Sequence, residues 1–523
     1  MQLRMWMLDI AREQSPTLDH LRRFLDLTQE SGYNAIGLYL EHRFAYPSTP
    51  WAHGKGCVTP EMILTLQDEY PDLQIVPFIN LLGHFEGMLY TEYGKQFREE
   101  TFKGLQACPC APGFVELCHQ IIDDTASIFT SNLIHIGGDE TQQLGQCPRC
   151  QAKVVAWTSR SGSPGQAFNP DVDVQATDGK AALYGDHFGP LARKVQELGR
   201  RPAVWGDMFL EHPTALEAMP KEALIFDWQY FKSPLETSRQ FIEKGFEVVG
   251  SPAILTYNAL WCHLAESEQN VRDHAEAINQ LGAHGVCVTT WECGLMGNYE
   301  TLFPTIKACG EILNGNSSTL KSAYADESPA HEEWSRLMSD DLQALGGMFA
   351  CGQIRSGLKC RLLLYSNPFL AWMHHHEELC GDTGDRALAI LAHAIVVAPT
   401  TSMRGVAEFG KLAIEFVRYA EQSRKAYANQ QPGAAAAELI PGRAIFDQLE
   451  KIAVASNINI GGSRADIERC RVAKEHVERV IRRIKEFGDG SLGYLPAFEI
   501  ITHPKFMPHD QASWWLINRW ANE

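Results

Sequence analysis

Eight short apolar segments recur through the first three hundred residues, and a stretch of helical length separates each segment from the next. Most of them are continuous apolar runs rather than alternating ones, as strands buried on both faces require. The stretches between them contain helical patterns, for example at residues 18–25 and 191–198. This alternation predicts an α/β fold, a (β/α)8 TIM barrel. The predicted strands are residues 3–9, 33–40, 74–80, 132–137, 202–206, 223–229, 246–250 and 285–291.

The pattern changes near residue 313, where a polar, glycine-containing stretch is followed by long helical patterns. Short breaks rich in Gly, Pro and Asn separate these patterns, which is typical of consecutive helices. The clearest helices are predicted at residues 355–377, 400–428 and 463–487. We therefore predict a (β/α)8 catalytic barrel over residues 1–312 and an α-helical C-terminal domain over residues 313–523.

Composition and charge narrow the range of partners. The chain has 523 residues, of which 45% are hydrophobic and 21% charged, as in a folded globular protein. Its net charge of −18 argues against nucleic acid and anionic membranes as partners, because both attract basic surfaces. No apolar segment is long enough to span a bilayer, and the N-terminus does not resemble a secretory leader. We expect a cytoplasmic protein, and a homodimer is left open.

The fourth predicted strand leads directly into a chemically active sequence. Its apolar residues are followed by Gly137 and Gly138, which release the backbone from strand geometry, and then by Asp139 and Glu140. Two adjacent carboxylates repel each other, and burial raises the pKa of whichever lies in the drier environment. Because active sites of TIM barrels lie at the C-terminal ends of the strands, this pair is the candidate catalytic centre.

Two stretches resemble one enzyme family. The sequence from His135 to Glu140 resembles the catalytic signature of the family 20 glycoside hydrolases, the β-N-acetylhexosaminidases, and residues 77–84 resemble their strand-three segment. The resemblance implies that Glu140 is the general acid/base and that Asp139 orients the 2-acetamido group of the substrate, which is the nucleophile. It implies a retaining exo-β-N-acetylhexosaminidase that releases terminal GlcNAc or GalNAc from glycans or glycoconjugates through an oxazolinium intermediate, with no cofactor for catalysis. Because the first predicted strand starts at residue 3, we expect a form without the small N-terminal accessory domain of many relatives.

The same resemblance implies a set of substrate-binding residues at the other strand ends. Arg12 would hold sugar hydroxyls, His84 would lie near the acid/base, and Glu292 would bind a hydroxyl. Tyr257 would hydrogen-bond the acetamide, with Tyr230 as the alternative. Three tryptophans at strand ends would wall the sugar, whose C–H faces pack well on aromatic rings; they are Trp205, Trp228 and Trp291. After strand two the chain lacks the acidic pattern common in many relatives, so the contacts with the outer sugar hydroxyls are not fixed.

Two close pairs of cysteines lie on loops at the same end of the predicted barrel. Cys108 and Cys110 follow the third strand, and Cys147 and Cys150 follow the catalytic motif. Four thiolates in two short-spaced pairs are typical of a closed tetrahedral zinc site, which would fix the loop that carries Asp139 and Glu140. Four unrelated reduced thiols are the alternative interpretation.

Two other functions stay open at this point. One is a sugar-binding barrel without catalysis, against which the intact Asp139 and Glu140 argue. The other is a zinc-dependent hydrolase in which the cysteines hold a catalytic metal, although ligation by cysteines alone usually indicates a structural site.

Overall fold

The structure is a computed structural model, and it describes residues 1–101, 104–161, 179–256, 259–291, 298–350, 363–364, 367–493 and residue 498. Within these residues every strand of the sheet runs parallel to its neighbours. The sheet closes on itself because the first strand pairs with the last as well as with the second. The strands are β1 Leu3–Asp9, β2 Ala35–Tyr39, β3 Gln74–Phe78, β4 Leu133–His135, β5 Arg201–Trp205, β6 Leu224–Asp227, β7 Glu247–Gly250, β8 Ala253–Ile254 and β9 Gly285–Thr290.

The predicted barrel is confirmed, with each of the eight predicted segments overlapping one strand. The additional strand, β8, is a two-residue segment that pairs with β9 after β7 has ended. Strand β4 is shorter than predicted and ends at His135. The backbone leaves the strand there because Gly137 and Gly138 both adopt positive φ angles, 79° and 108°, which strand geometry does not contain.

Both faces of the strands are buried, which explains their continuous apolar character. On β1, Met5 and Met7 point into the barrel, whereas Trp6 and Leu8 pack against the outer helices. Large rings fill the barrel interior, among them Phe78, and close it to solvent. Functional side chains therefore have room only at the rim.

Helices surround the barrel and continue as a helical C-terminal part. In the described chain they are α1 Leu18–Glu30, α2 Pro60–Glu69, α3 Glu86–Leu89, α4 Phe114–Ile128, α5 Pro148–Ser161, α6 Gly179–Glu197, α7 Asp207–Glu211, α8 Leu235–Glu243, α9 Leu264–Leu281, α10 Phe303–Leu313, α11 Leu320–Glu327, α12 Pro329–Arg336, α13 Phe369–Leu379, α14 Asp382–Val397, α15 Thr401–Ala428, α16 Pro432–Ile460 and α17 Arg464–Gly488. None of the described helices is both long and apolar enough to cross a membrane.

The C-terminal helices agree with the sequence in part. The predictions at 400–428 and 463–487 correspond to α15 and α17, which Thr400 and Ser463 cap at their N-termini. Of the prediction at 355–377, only the end is described, as the start of α13, and residues 355–362 and 365–366 lie outside the described chain. The division at residue 312 stays a prediction. The helices pack directly on the barrel part, where the Ser15 amide donates to the Gly461 carbonyl over 2.9 Å.

Candidate active site

The backbone after β4 is shaped to present Asp139 and Glu140 at the rim of the barrel. The Tyr184 hydroxyl on α6 donates to the Gly138 carbonyl over 2.6 Å. A side chain at position 138 would collide with that hydroxyl, so the turn needs glycine. Glu140 itself has φ 48°, a left-handed conformation that is uncommon outside glycine and is often found at functional sites.

Asp139 is the drier of the two carboxylates. The residue is 7% exposed, and its Oδ2 lies 3.4 Å from Nε2 of His84. Its second oxygen, Oδ1, is buried and accepts no hydrogen bond within the described chain. Burial raises the pKa of Asp139; the His84 cation opposes this rise and the Glu140 charge adds to it. Asp139 thus offers a buried acceptor atom to a donor from outside the protein.

Glu140 is the more exposed partner, and its carboxylate is 37% exposed. Its Oε2 lies 3.2 Å from Nε2 of His84. Desolvation in the site would raise the pKa of Glu140, but the hydrogen bond with His84 and the positive charge of that ring outweigh it and lower the pKa. The rise in pKa that the sequence predicts for the drier carboxylate therefore falls on Asp139 and not on the predicted acid/base.

His84 connects the two carboxylates from the loop after β3. Although burial opposes its charged form, Asp139 and Glu140 raise the pKa of His84 to about 10. It is therefore an imidazolium at neutral pH, and one ring nitrogen faces both carboxylates. The preceding residue is Gly83, at which a Cβ would meet the Asp139 carbonyl oxygen at 2.5 Å. The two loops are therefore in close contact, and this contact places His84 next to Glu140.

A third carboxylate, Asp207, belongs to this centre and was not among the predicted site residues. It follows β5 and accepts the Glu140 amide N–H on Oδ2 over 2.9 Å. Burial and the neighbouring charge of Asp139 raise the pKa of Asp207 to about 8. The Trp228 indole donates to its other oxygen over 3.3 Å. Its position directly after Trp205-Gly206 at a strand end is the signal in the sequence that could have revealed it.

Arg12 follows β1 at the rim, among acidic and aromatic groups. Its Nη1 lies 3.4 Å from Glu41 and 3.6 Å from Asp9. The guanidinium also lies over the rings of Tyr39 and Trp291, at 5.1 and 5.4 Å from their centroids. Such a stacked, paired guanidinium is held in one orientation, as a group that binds sugar hydroxyls must be.

Glu41 is a second site carboxylate that the sequence interpretation missed. It follows β2, is 5% exposed and has φ 42°. Burial raises the pKa of Glu41 to about 7, against the opposing charge of Arg12. The sequence after β2 lacks the acidic pattern that is common in many relatives. It does contain Glu41, so a carboxylate lies at the rim there.

The accessible aromatic surface comes from Trp228, Tyr230 and Trp291. The Trp291 indole donates to the Tyr230 hydroxyl over 2.7 Å, and Trp228 packs on the Tyr230 ring with centroids 5.1 Å apart. Trp205 packs against Trp291 at 5.8 Å but has no exposed surface. The structure therefore brings all three predicted tryptophans together, with Trp205 inside the barrel. Tyr257 and Glu292, the remaining predicted substrate contacts, lie outside the described residues.

The predicted cysteine cluster is partly assembled. Cys108, Cys147 and Cys150 converge with the carboxylate of Glu99, whereas Cys110 is not one of these four groups. All four are buried, as in a closed structural site rather than an open catalytic one. The arrangement gives no support to a hydrolase with a catalytic metal at the cysteines.

Comparison with known proteins agrees with this geometry. Residues 73–293 match the model of "Glycosyl hydrolase family 20, catalytic domain". The chain is similar to the beta-hexosaminidase of Vibrio furnissii, with 23% identity over 196 residues that cover 35% of this chain and 28% of that protein. It is similar to the beta-hexosaminidase of Emericella nidulans, with 27% identity over 146 residues that cover 28% of this chain and 21% of that one. The chain thus spans less than a third of the length of these relatives.

The chain also has limited similarity to solved structures. The chain is similar to the exo beta-N-acetylglucosaminidase of Vibrio harveyi in complex with N-acetylglucosamine, with a TM-score of 0.47 and 18% identity over 59% of this chain and 54% of that one. A closed parallel barrel with an acidic pair at the C-terminal end of its fourth strand is an arrangement that glycoside hydrolases use. The family model covers the segment that holds this pair, so residues 73–293 are similar to the catalytic domain of glycosyl hydrolase family 20.

Proposed function

We propose that the protein is a retaining exo-β-N-acetylhexosaminidase that removes terminal GlcNAc or GalNAc from glycans and glycoconjugates. The observation that carries the proposal is the buried Oδ1 of Asp139, which accepts no hydrogen bond within the described chain. A buried acceptor without a donor is costly, and the acetamide N–H of a bound sugar is a donor of suitable type. The nearby rings of Trp228 and Trp291 suit the apolar faces of the same sugar.

In this mechanism Asp139 orients the 2-acetamido group so that its carbonyl oxygen attacks the anomeric carbon. The bond to the leaving oxygen breaks, and Glu140 gives that oxygen a proton. The resulting oxazolinium is opened by water, from which Glu140 takes a proton back, so that the anomeric configuration is retained. No metal or organic cofactor takes part in these steps.

Glu140 is suited to this task once substrate is bound. Without substrate the His84 cation lowers its pKa and Glu140 is ionised at neutral pH. A sugar that covers the exposed carboxylate removes water from it, which raises its pKa and favours uptake of a proton. The imidazolium of His84 is in hydrogen-bond contact with Glu140, at 3.2 Å.

The test is hydrolysis of 4-nitrophenyl β-GlcNAc and of a GlcNAc-terminated disaccharide by the wild type and by Glu140→Gln. General acid catalysis contributes about a hundred- to ten-thousand-fold, so the variant should lose that much on the disaccharide and less on the activated aryl substrate. Glu116→Gln, the same change at an exposed position of α4, is the matched control and should leave both activities unchanged.

Two results would contradict the proposal. Absence of nitrophenol release by the wild type would favour a sugar-binding barrel without catalysis. A loss of less than about tenfold on the disaccharide would remove Glu140 from the role of general acid.

A further inference from the structure

Four buried side chains converge from the loop after β3 and from the segment that leads into α5. Their ligand atoms all lie within 4.8 Å of one another, and they belong to Glu99, Cys108, Cys147 and Cys150. The Cys108 sulfur is 3.4 Å from that of Cys147 and 3.5 Å from that of Cys150. In a tetrahedral site with Zn–S bonds of about 2.3 Å, two sulfur atoms lie about 3.8 Å apart. The thiols are therefore already near the spacing that one zinc ion requires.

The carboxylate of Glu99 gives an independent reason to place a cation here. Glu99 is 3% exposed, and it accepts hydrogen bonds from the Cys147 amide over 2.9 Å and the Cys150 thiol over 3.2 Å. Among the described residues, no Lys, Arg or His forms an ion pair with it. The exposed Arg149 interacts with the Cys108 and Cys147 thiols but forms no ion pair with Glu99 among the described contacts. A buried carboxylate without an ion-pair partner is strongly unfavourable, and a metal ion would supply that partner.

We propose that Glu99, Cys108, Cys147 and Cys150 bind one zinc ion in a closed structural site. Cys110, which the sequence predicts as the fourth ligand, is half-buried, and its thiol interacts with that of Cys150 without joining the four groups. Three thiolates and one carboxylate form a ligand set that zinc accepts, and all four positions are taken by protein.

Local structure holds the four ligands in place before any metal binds. Glu99 and Cys108 lie on opposite sides of a short antiparallel pairing between Arg98 and Ala107, in which the Glu99 amide donates to the Gln106 carbonyl and the Cys108 amide to the Phe97 carbonyl. Cys147 lies directly before α5, and its sulfur accepts the Cys150 amide over 3.4 Å. A metal needs little rearrangement of such a site.

The site would act as a clamp between the two loops that carry the catalytic groups. In the first loop, the Ala107 amide donates to Leu82 and the Phe85 amide to Leu105, so the chain on both sides of His84 is tied to this segment. In the second loop, Cys147 follows Glu140 by seven residues. A zinc ion shared by both loops would therefore fix the distance between His84 and Glu140.

The direct test is the zinc content of the purified full-length protein after prolonged dialysis, measured by plasma mass spectrometry. We expect about one zinc per chain in the wild type and a large loss in Cys147→Ser and Glu99→Gln. Two control variants should keep the metal: Cys110→Ser, and Cys118→Ser, which alters a buried thiol in α4 outside the cluster. Cobalt(II) exchanged into the wild type should give the charge-transfer absorption of thiolate ligation.

Several outcomes would overturn the proposal. Wild-type protein without metal that keeps its full Tm when a strong chelator is added would exclude a structural zinc. Zinc lost from Cys110→Ser but kept by Glu99→Gln would show that Glu99 is not the ligand. If Cys147→Ser fails to fold, the chelator experiment on the wild type decides the matter alone. None of these measurements depends on hexosaminidase activity, so they can fail independently of the proposed function.

Discussion

The contact between Gly83 and Asp139 allows the geometry of the catalytic centre to be tested without touching a charged group. An added Cβ at position 83 would lie 2.5 Å from the Asp139 carbonyl oxygen and 3.3 Å from the Thr141 methyl group. The first atom belongs to the backbone and cannot rotate away. Contacts of this kind need at least about 3.0 Å, so Gly83→Ala must separate the two loops by roughly 0.5 Å or more.

That separation acts directly on the neighbouring catalytic contact. His84 is the next residue, and its 3.2 Å hydrogen bond to Glu140 would lengthen to roughly 3.7 Å, beyond the range of a hydrogen bond. Misplacement by 1 Å costs a catalyst about a hundredfold, so half that displacement should lower kcat/KM by about tenfold or more. Overpacking should also destabilise the protein by about 1–3 kcal/mol.

The assay is kcat/KM on 4-nitrophenyl β-GlcNAc, together with the Tm of each variant. Gly433→Ala on α16 is the matched control, because its Cβ would meet no atom within 4 Å, and it should behave as the wild type does. A Gly83→Ala variant with kcat/KM within about twofold of wild type and an unchanged Tm would refute the close approach of the two loops.

Two further predictions follow from the charges of the site. His84→Gln removes the cation that lowers the pKa of Glu140, so kcat/KM should fall by about tenfold or more. In the pH profile of kcat/KM, the decline on the alkaline side should move to higher pH. A decline at the same or at a lower pH would contradict this. The pKa of Asp207 is raised to about 8, so the fold loses stability as pH rises from about 4 to 8. Asp207→Asn should therefore be more stable than wild type at pH 7, by on the order of 1–3 kcal/mol, and the difference in Tm should vanish toward pH 4.

The barrel, and the strand end that holds Asp139 and Glu140, could be predicted from the sequence because both depend on local patterns. Continuous apolar runs identify parallel strands, and two glycines before two acids identify a strand end that carries chemistry. Asp207 and Glu99 were missed for a common reason. Each acts through a partner far away in sequence, the Glu140 amide and the Cys147 amide, and such partners are defined only when the loops are packed together.

The assignment of pKa values within the pair also required the structure. Adjacent carboxylates predict that one pKa is raised, but the sequence does not say which residue is buried. Burial selects Asp139, and the imidazolium of His84, which comes from another loop, lowers the pKa of Glu140. In the proposed mechanism, Glu140 is therefore ionised before substrate binds and takes up its proton only after binding.

In the proposed mechanism the 2-acetamido group of the substrate, positioned by Asp139, is the nucleophile. The most direct test is the ratio of kcat/KM of the wild-type protein on 4-nitrophenyl β-GlcNAc to that on 4-nitrophenyl β-glucoside, which differ only in that group. An intramolecular nucleophile is worth a large effective concentration, so the glucoside should be slower by about a thousandfold or more. Comparable hydrolysis of both substrates would show that the protein supplies its own nucleophile, and it would contradict the role given to Asp139.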